Sequence, residues 1–476
     1  MRWTLIVLLA ASLLACTPRL PYRTQLAMSP GSTVPPQCAG MTAPGGARSV
    51  VNHETTEVGD LYFVEFDDQG LLYPPGRPEF GAGACHIEAL MADLSELAKK
   101  GGLSILVYVH GWKHNASDSN IDVEAFRLLL RDADLVERAK EARSGKRHRV
   151  VGVYVAWRGK SLDLPEPLLS LSFWDRKQTA QHVAVGESRA LFARLRAFQV
   201  TQNGGPAIAG TTDPSEKKVL MILMGHSFGG LILYSAVAQS LINSLYEASA
   251  SADGKKIVPR FADMIIVANP AVEALRYTPL HRAATGNTYD RYQSPIFVSV
   301  TSTADWATRI AFPAGRYIST VFQTHASDEE REANRNTIGH VERYITHELV
   351  PGGGACTGWQ PVDPAKPETH DHAGPNLKLE IENAARFFGK DPDSLSLEAQ
   401  WKRAFCGGTT LIHRSGPPNS PVWNIRTTKE IVPGHNNIKE PRFINFVRQL
   451  YHDVVLKEFI RAEAQSPGTT PVPPAR

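Results

Sequence analysis

The chain has 476 residues, 42% of them hydrophobic and 21% charged, and its 51 Lys and Arg against 48 Asp and Glu give a formal charge of +3. A near-neutral chain of globular composition, with its basic residues scattered, offers no footing for a nucleic-acid partner. The length exceeds one average domain but suits a single large α/β domain carrying insertions.

Arg2 gives the chain a positive start, and Leu5 to Leu14 is an apolar stretch too short to span a bilayer as a stable helix. It ends in Leu13-Leu14-Ala15-Cys16. This resembles the lipobox of bacterial lipoproteins, in which the cysteine becomes the lipidated N-terminus. The resemblance implies a signal peptide over residues 1–15, lipidation at Cys16 and contact with a membrane through that anchor. Thr17, where Asp would retain the protein, implies outer-membrane sorting in the cell envelope, facing the periplasm or outside. A plain secretory signal with an incidental cysteine is the alternative. Residues 16–46 are rich in Pro, Ser and Thr and read as a tether. Cys38, Cys85, Cys356 and Cys406 form an even set in an exported chain, and four cysteines allow three pairings. Cys38–Cys85 with Cys356–Cys406 is favoured, because each pair flanks one end of the fold and closes a short loop.

Val58 to Phe66 and Gly70 to Tyr73 read as an opening hairpin turning at Asp67-Asp68-Gln69-Gly70. Helical spacing covers Ile87 to Lys100 and stops at Gly101-Gly102. A buried strand is predicted over Leu103 to Val109, a helix over Val123 to Ala142, a strand over Val150 to Trp157 and a helix over Thr179 to Phe198. Val219 to Met224 is an apolar run that ends in Gly225-His226-Ser227-Phe228-Gly229, and another apolar segment follows directly. A buried strand that turns at once into a helix needs corners without a Cβ, which Gly225 and Gly229 supply. The apex residue is then strained, with its side chain presented at the C-terminal edge of the sheet. Strands follow over Phe261 to Ala268 and Pro295 to Val300. Residues 317–402 read as an insertion and candidate cap. Val422 to Thr427 is a last strand, Ile431 to Asn437 a loop, Arg442 to Tyr451 a helix, and residues 461–476 a flexible tail.

Near-continuous apolar runs alternating with helices indicate an α/β fold with a mostly parallel sheet covered on both faces. The order of strand, His110-Gly111-Trp112 turn, helix, strand, helix and Gly-His-Ser-Phe-Gly corner resembles the α/β-hydrolase superfamily. The resemblance covers roughly residues 58–312 and 405–455, within a domain over residues 47–460. The segments from Tyr108 to Ala116 and Val155 to Leu162 look like a group of bacterial serine hydrolases often described as esterases or lipases.

The superfamily resemblance implies a nucleophile, acid and base in the chain order Ser, Asp or Glu, His. Ser227 at the apex is the nucleophile. Asp305, on the loop after the strand ending near Val300, is the acid; Asp263 lies at the start of its strand and Asp290 precedes its strand, so both sit at the wrong edge. Of 16 histidines, His435 lies on the loop between the last strand and the C-terminal helix, where the superfamily places its base, with His413 as a substitute. His110 and His226 read as structural, and His226 is expected to face away from the nucleophile. The oxyanion donors are the N–H groups of Phe228 and Trp112, with Gly111 letting the backbone approach. Trp157, Phe173, Trp174 and Trp306 are candidates for a pocket wall, or for core. Glu368 to His372 lacks the spacing of a metal site, and no metal or organic cofactor is implied.

The expected activity is hydrolysis of carboxylic esters, of a small molecule or a lipid. An amidase, peptidase or thioesterase could use the same triad. A non-catalytic envelope binding protein is the alternative of another class.

Overall fold

Strands rich in Val, Ile and Tyr that are apolar on both faces can only sit inside a sheet covered on both sides. The computed structural model describes residues 21–41, 50–73, 83–160, 173–205, 217–248, 250, 254–352, 354, 356–388 and 402–465. In chain order the elements are β1 (His53–Thr55), β2 (Gly59–Phe66), α1 (Gly83–Lys100), β3 (Gly102–Val109), α2 (Ile121–Ser144), β4 (His148–Trp157), α3 (Phe173–Val185) and α4 (Ser188–Gln202). Next come β5 (Val219–His226), α5 (Phe228–Glu247), β6 (Met264–Ala268), α6 (Ala274–Thr285), β7 (Phe297–Ser302), α7 (Phe312–Ser319) and α8 (Asp328–Arg335). The chain closes with β8 (His347–Pro351), α9 (Ala373–Phe388), β9 (Lys402–Phe405), β10 (Thr409–His413), β11 (Val422–Thr427) and α10 (Pro441–Gln465).

The sheet has 11 strands in the order β1-β2-β4-β3-β5-β6-β7-β11-β8-β10-β9. Every pairing from β2 across to β8 is parallel, while β1, β10 and β9 pair antiparallel at the two edges. The fold is therefore α/β around a mixed, mostly parallel sheet. Side chains of β4 divide by parity: Val151, Val153 and Val155 join one core, and Val150, Tyr154 and Ala156 join the other. Burying a Val, Leu or Ile side chain contributes about 1.5–3 kcal/mol, so the two cores rather than helix propensity hold the layers. Helix α5, apolar enough to cross a membrane by length and composition, is mostly buried in the first core.

Three local expectations are corrected. The hairpin is β1–β2, and residues 71–73 contribute only the Phe66–Leu72 bridge to β2. The helix predicted over Thr179 to Phe198 is two helices, α3 and α4, broken at Gly186, where a Cβ would lie 2.3 Å from the Gly70 carbonyl oxygen. Residues 21–41, assigned to the tether, lie against the body. Arg23 is fully buried and donates to the Ala116 carbonyl at 2.8 Å and to Glu54 at 3.0 Å, its guanidinium 3.6 Å from the Phe63 ring centre.

Residues 317–402, read as an insertion and candidate cap, contain α8, β8 and α9 where they are described. They extend the sheet through β8 and lay α9 over one face. Arg448 on α10 joins Glu380 on α9 at 2.7 Å and Asp132 on α2 at 3.4 Å. Helix α10 runs on to Gln465, into the stretch assigned to the tail. The signal peptide over residues 1–15 and Cys16 lie outside the described residues, as do 389–401 within the insertion and 466–476 of the tail.

The disulfides pair Cys38 with Cys85 and Cys356 with Cys406, as favoured. The first fastens residues 21–41 to α1 beside Leu26 and Ala89. Cys38→Ser is expected to lower unfolding stability by about 2–4 kcal/mol, read from the urea midpoint. An unchanged midpoint would mean that this segment is held by Arg23 and its partners alone.

Candidate active site

Parallel strands gather their C-terminal ends at one edge, so loops after different strands meet there. Ser227 follows β5, Asp305 follows β7, His435 follows β11 and the His110-Gly111-Trp112 turn follows β3. Between β5 and α5 the chain turns within one residue, and Ser227 takes φ 55°, ψ −118°. A serine there is strained by roughly 1–3 kcal/mol, which the surrounding contacts must hold. Its N–H donates to the Ala268 carbonyl at 3.1 Å, and its own carbonyl accepts from Ala271 and Leu231, each at 3.1 Å. A Cβ on Gly229 would sit 2.0 Å from the Val109 carbonyl oxygen, and one on Gly225 would sit 2.7 Å from the Gly229 carbonyl oxygen. Both corners therefore require glycine.

The structure brings Ser227, His435 and Asp305 together. His435 Nε2 lies 2.7 Å from Ser227 Oγ, and His435 Nδ1 lies 2.8 Å from Asp305 Oδ2. The carboxylate is acceptor-only, so Nδ1–H donates to it and Nε2 faces the hydroxyl as acceptor. Asp305 is fully buried. Burial pushes its carboxyl up, but His435 and the Thr308 hydroxyl and N–H outweigh this and hold it below its ordinary value. Thr308 Oγ1 donates to Asp305 Oδ2 at 2.6 Å, and the N–H groups of Ala307 and Thr308 reach Oδ1 at 2.9 and 3.2 Å. A charged, oriented carboxylate results.

The Gly111 turn comes close to Ser227 through its backbone. A Cβ on Gly111 would meet Ser227 Cβ and His226 Nδ1 at 3.0 Å. Gly159 closes against this turn from β4, where a Cβ would meet the carbonyl oxygens of His114 at 2.7 Å and Gly111 at 2.9 Å. Phe228 begins α5, so its N–H is among those without an intrahelical acceptor. His110 donates from Nδ1 to the Gly111 carbonyl at 2.8 Å and accepts the Trp157 N–H at Nε2, 3.1 Å away. Burial lowers its pKa to about 4, and the two bonds fix the neutral tautomer.

Several positioning residues are not visible in the sequence pattern. His226 Nε2 donates to the His435 carbonyl at 2.8 Å, so a side chain expected to face away from Ser227 braces the His435 loop. Asn269, at φ 44° just past β6, donates to the same carbonyl at 2.9 Å and accepts the Ser302 N–H at 2.9 Å. It ties the ends of β6 and β7 to the His435 loop. The available signal is an Asn before a Pro at a strand end, where Asn tolerates the left-handed region. His340 supports Thr308 through Nε2 at 3.0 Å.

The rejected candidates lie elsewhere. Asp263, at the opposite edge, pairs with Lys217 at 2.9 Å and accepts the Met221 N–H at 2.7 Å. Asp290 receives the Tyr292 N–H at 2.8 Å. His413 ends β10, five strands along the sheet from β5, and so lies away from Ser227. Of the aromatic candidates, Phe173 lies 4.9 Å from Phe228 and 5.2 Å from Trp112, measured between ring centres, and so lines the site. Trp157 is core, stacked on His110, and Trp174 packs on Phe312. Trp306 faces solvent. Among the described residues, no group of three or more His, Cys, Asp or Glu could hold a metal ion.

Two buried histidines, His110 and His226, and the half-buried His340 make the site acid-sensitive. Burial lowers His226 to about 3 and His110 and His340 to about 4. Between those values and about 6.5 only the unfolded chain binds the proton, so stability falls as pH falls through that window. Each histidine contributes a loss of about 1.4 kcal/mol per pH unit there. The depressed Asp305 carboxyl acts in the same direction at lower pH. The melting temperature is expected to be clearly lower at pH 5 than at pH 7.5; equal values would contradict this reading.

Comparison with known family models, with curated proteins and with solved structures finds no match for this chain.

Proposed function

We propose that this chain is an exported serine hydrolase of the α/β-hydrolase superfamily, lipid-anchored at Cys16 in the bacterial cell envelope, that cleaves carboxylic esters. One observation carries the reading: Asp305, His435 and Ser227 form a continuous hydrogen-bonded relay at 2.8 and 2.7 Å, ending on a serine held at positive φ. A serine fixed in that backbone conformation against a histidine and a buried carboxylate has the geometry of acyl transfer.

In the proposed reaction Ser227 Oγ attacks the ester carbonyl carbon while His435 Nε2 takes the hydroxyl proton. The developing oxyanion is met by the N–H groups of Phe228 and Trp112. As the tetrahedral adduct collapses, the C–O bond to the alcohol breaks and His435 returns its proton to the departing oxygen. Water then attacks the acyl-enzyme, His435 takes that water's proton, and the carboxylic acid leaves as Ser227 recovers its hydrogen. Asp305 stabilises the imidazolium in both halves and remains ionised.

The test is turnover of p-nitrophenyl esters of increasing chain length, with Ser227→Ala alongside. Ester hydrolysis lost in Ser227→Ala is the expected result. Turnover only of amide or thioester substrates would keep the triad and change the substrate class. A folded protein that turns over none of them would favour the binding-protein alternative. Asn269→Gly keeps the positive φ but removes the bonds to the His435 loop. It is expected to lower kcat by about 10–100-fold with little change in KM. An unaltered kcat would show that His226 alone positions the base.

A further inference from the structure

The surface just beyond the acid loop is unlike the rest of the protein. Among the described residues ten large apolar side chains are exposed, and six of them, Trp306, Ile310, Tyr317, Ile318, Val321 and Phe322, fall within residues 306–322. Phe322 is 98% exposed and Ile318 is 76% exposed. The segment is nevertheless fixed from beneath, because Thr308, Phe312 and Thr320 are buried. Soluble proteins scatter such residues singly, so this concentration marks a surface with a partner.

Charge and composition narrow the partner. No acidic residue occurs between Asp305 and Asp328, whereas Arg309 and Arg316 do, and Arg309 is exposed. Trp, Tyr and Phe mixed with branched aliphatics beside an arginine suit the boundary between headgroups and acyl chains. Chain entry points the same way. Tyr22 and Arg23 donate their N–H groups to Glu65, near the C-terminal end of β2, at 3.1 and 2.6 Å. Tyr22 also meets Asn115, on the loop after β3, at 3.2 Å. The sequence that carries the apolar stretch from Leu5 to Leu14 thus joins the body at the sheet edge that holds the triad.

We propose that the Trp306 to Phe322 surface docks on a phospholipid bilayer with anionic headgroups, so that the triad acts on esters resident in that membrane. This rests on the ester-hydrolase reading for its substrate, while the docking itself is independent of it.

The test uses the full chain, vesicles of phosphatidylcholine and phosphatidylglycerol, and two readouts. With brominated acyl chains, tryptophan fluorescence of the wild type is expected to be quenched by a component that Trp306→Phe lacks. Identical quenching in the two proteins would overturn the docking. In the second readout, Ile318→Asp combined with Phe322→Asp is expected to lower turnover of a vesicle-embedded ester by about tenfold or more, while soluble p-nitrophenyl butyrate stays within about twofold. The soluble ester also reports that the variant folds. Equal rates on vesicles would overturn the proposal, as would a wild-type dimer that the double substitution converts to monomer, since the face would then join two copies. A wild type quenched by vesicles but inert towards both esters would support the docking and reject the hydrolase reading.

Discussion

Ser227→Ala is expected to lower ester turnover by about 10⁵–10⁶-fold, His435→Ala by nearly as much, and the double variant by little more than either. The reason is the geometry of one shared proton. Ser227 Oγ and His435 Nε2 are 2.7 Å apart, so neither group is useful when the other is gone. Asp305→Asn is expected to cost about 10³–10⁴-fold, because an amide removes the charge facing the imidazolium and can hold the wrong tautomer. Losses that added as independent factors would show that the three side chains do not act as one unit. His413→Ala is expected to leave turnover near wild type, since that residue lies on β10, five strands along the sheet from β5.

Gly229→Ala is expected to be among the most damaging single methyl groups at the described glycines. Its Cβ would sit 2.0 Å from the Val109 carbonyl oxygen and 2.6 Å from that of His110. Both obstacles are backbone atoms of β3 and the turn after it, so no side chain can swing away. Either the corner opens or β3 and β5 separate, and the Trp112 turn moves with them. A loss of about 4 kcal/mol or more is expected, large enough to leave little folded protein. Gly111→Ala gives the comparison. Its nearest neighbours would be His226 Nδ1 and Ser227 Cβ at 3.0 Å, so it should fold with a smaller loss of stability while disturbing the oxyanion side. Urea midpoints for the two variants test the order; a Gly229→Ala protein as stable as wild type would contradict the packing described.

The meeting of Ser227, Asp305 and His435 is legible because all three are tied to strand ends. Ser227, Asp305 and His435 each lie a few residues past an apolar run, and a parallel sheet carries all such positions to one edge. Long-range packing was less legible. Gly186 splits a helix whose periodicity looks continuous, because the Gly70 carbonyl comes to lie against it. Residues 21–41 have the composition of a tether, yet one buried arginine and one disulfide fasten them. The insertion places β8 in the sheet, and β11, the last strand in sequence, then pairs between β8 and β7. Asn269 and His226 escaped assignment because what they hold is a backbone carbonyl more than 160 residues away. Side-chain type and spacing carry no trace of such a bond.

The central claim is that Ser227 is an activated nucleophile, and a fluorophosphonate probe tests it most directly. Incubation of folded protein with the probe, followed by peptide mapping, is expected to give one stoichiometric covalent adduct on Ser227. The adduct should be absent from Ser227→Ala and strongly slowed in His435→Ala. Folded wild-type protein that remains unlabelled at Ser227 after prolonged exposure would contradict the account.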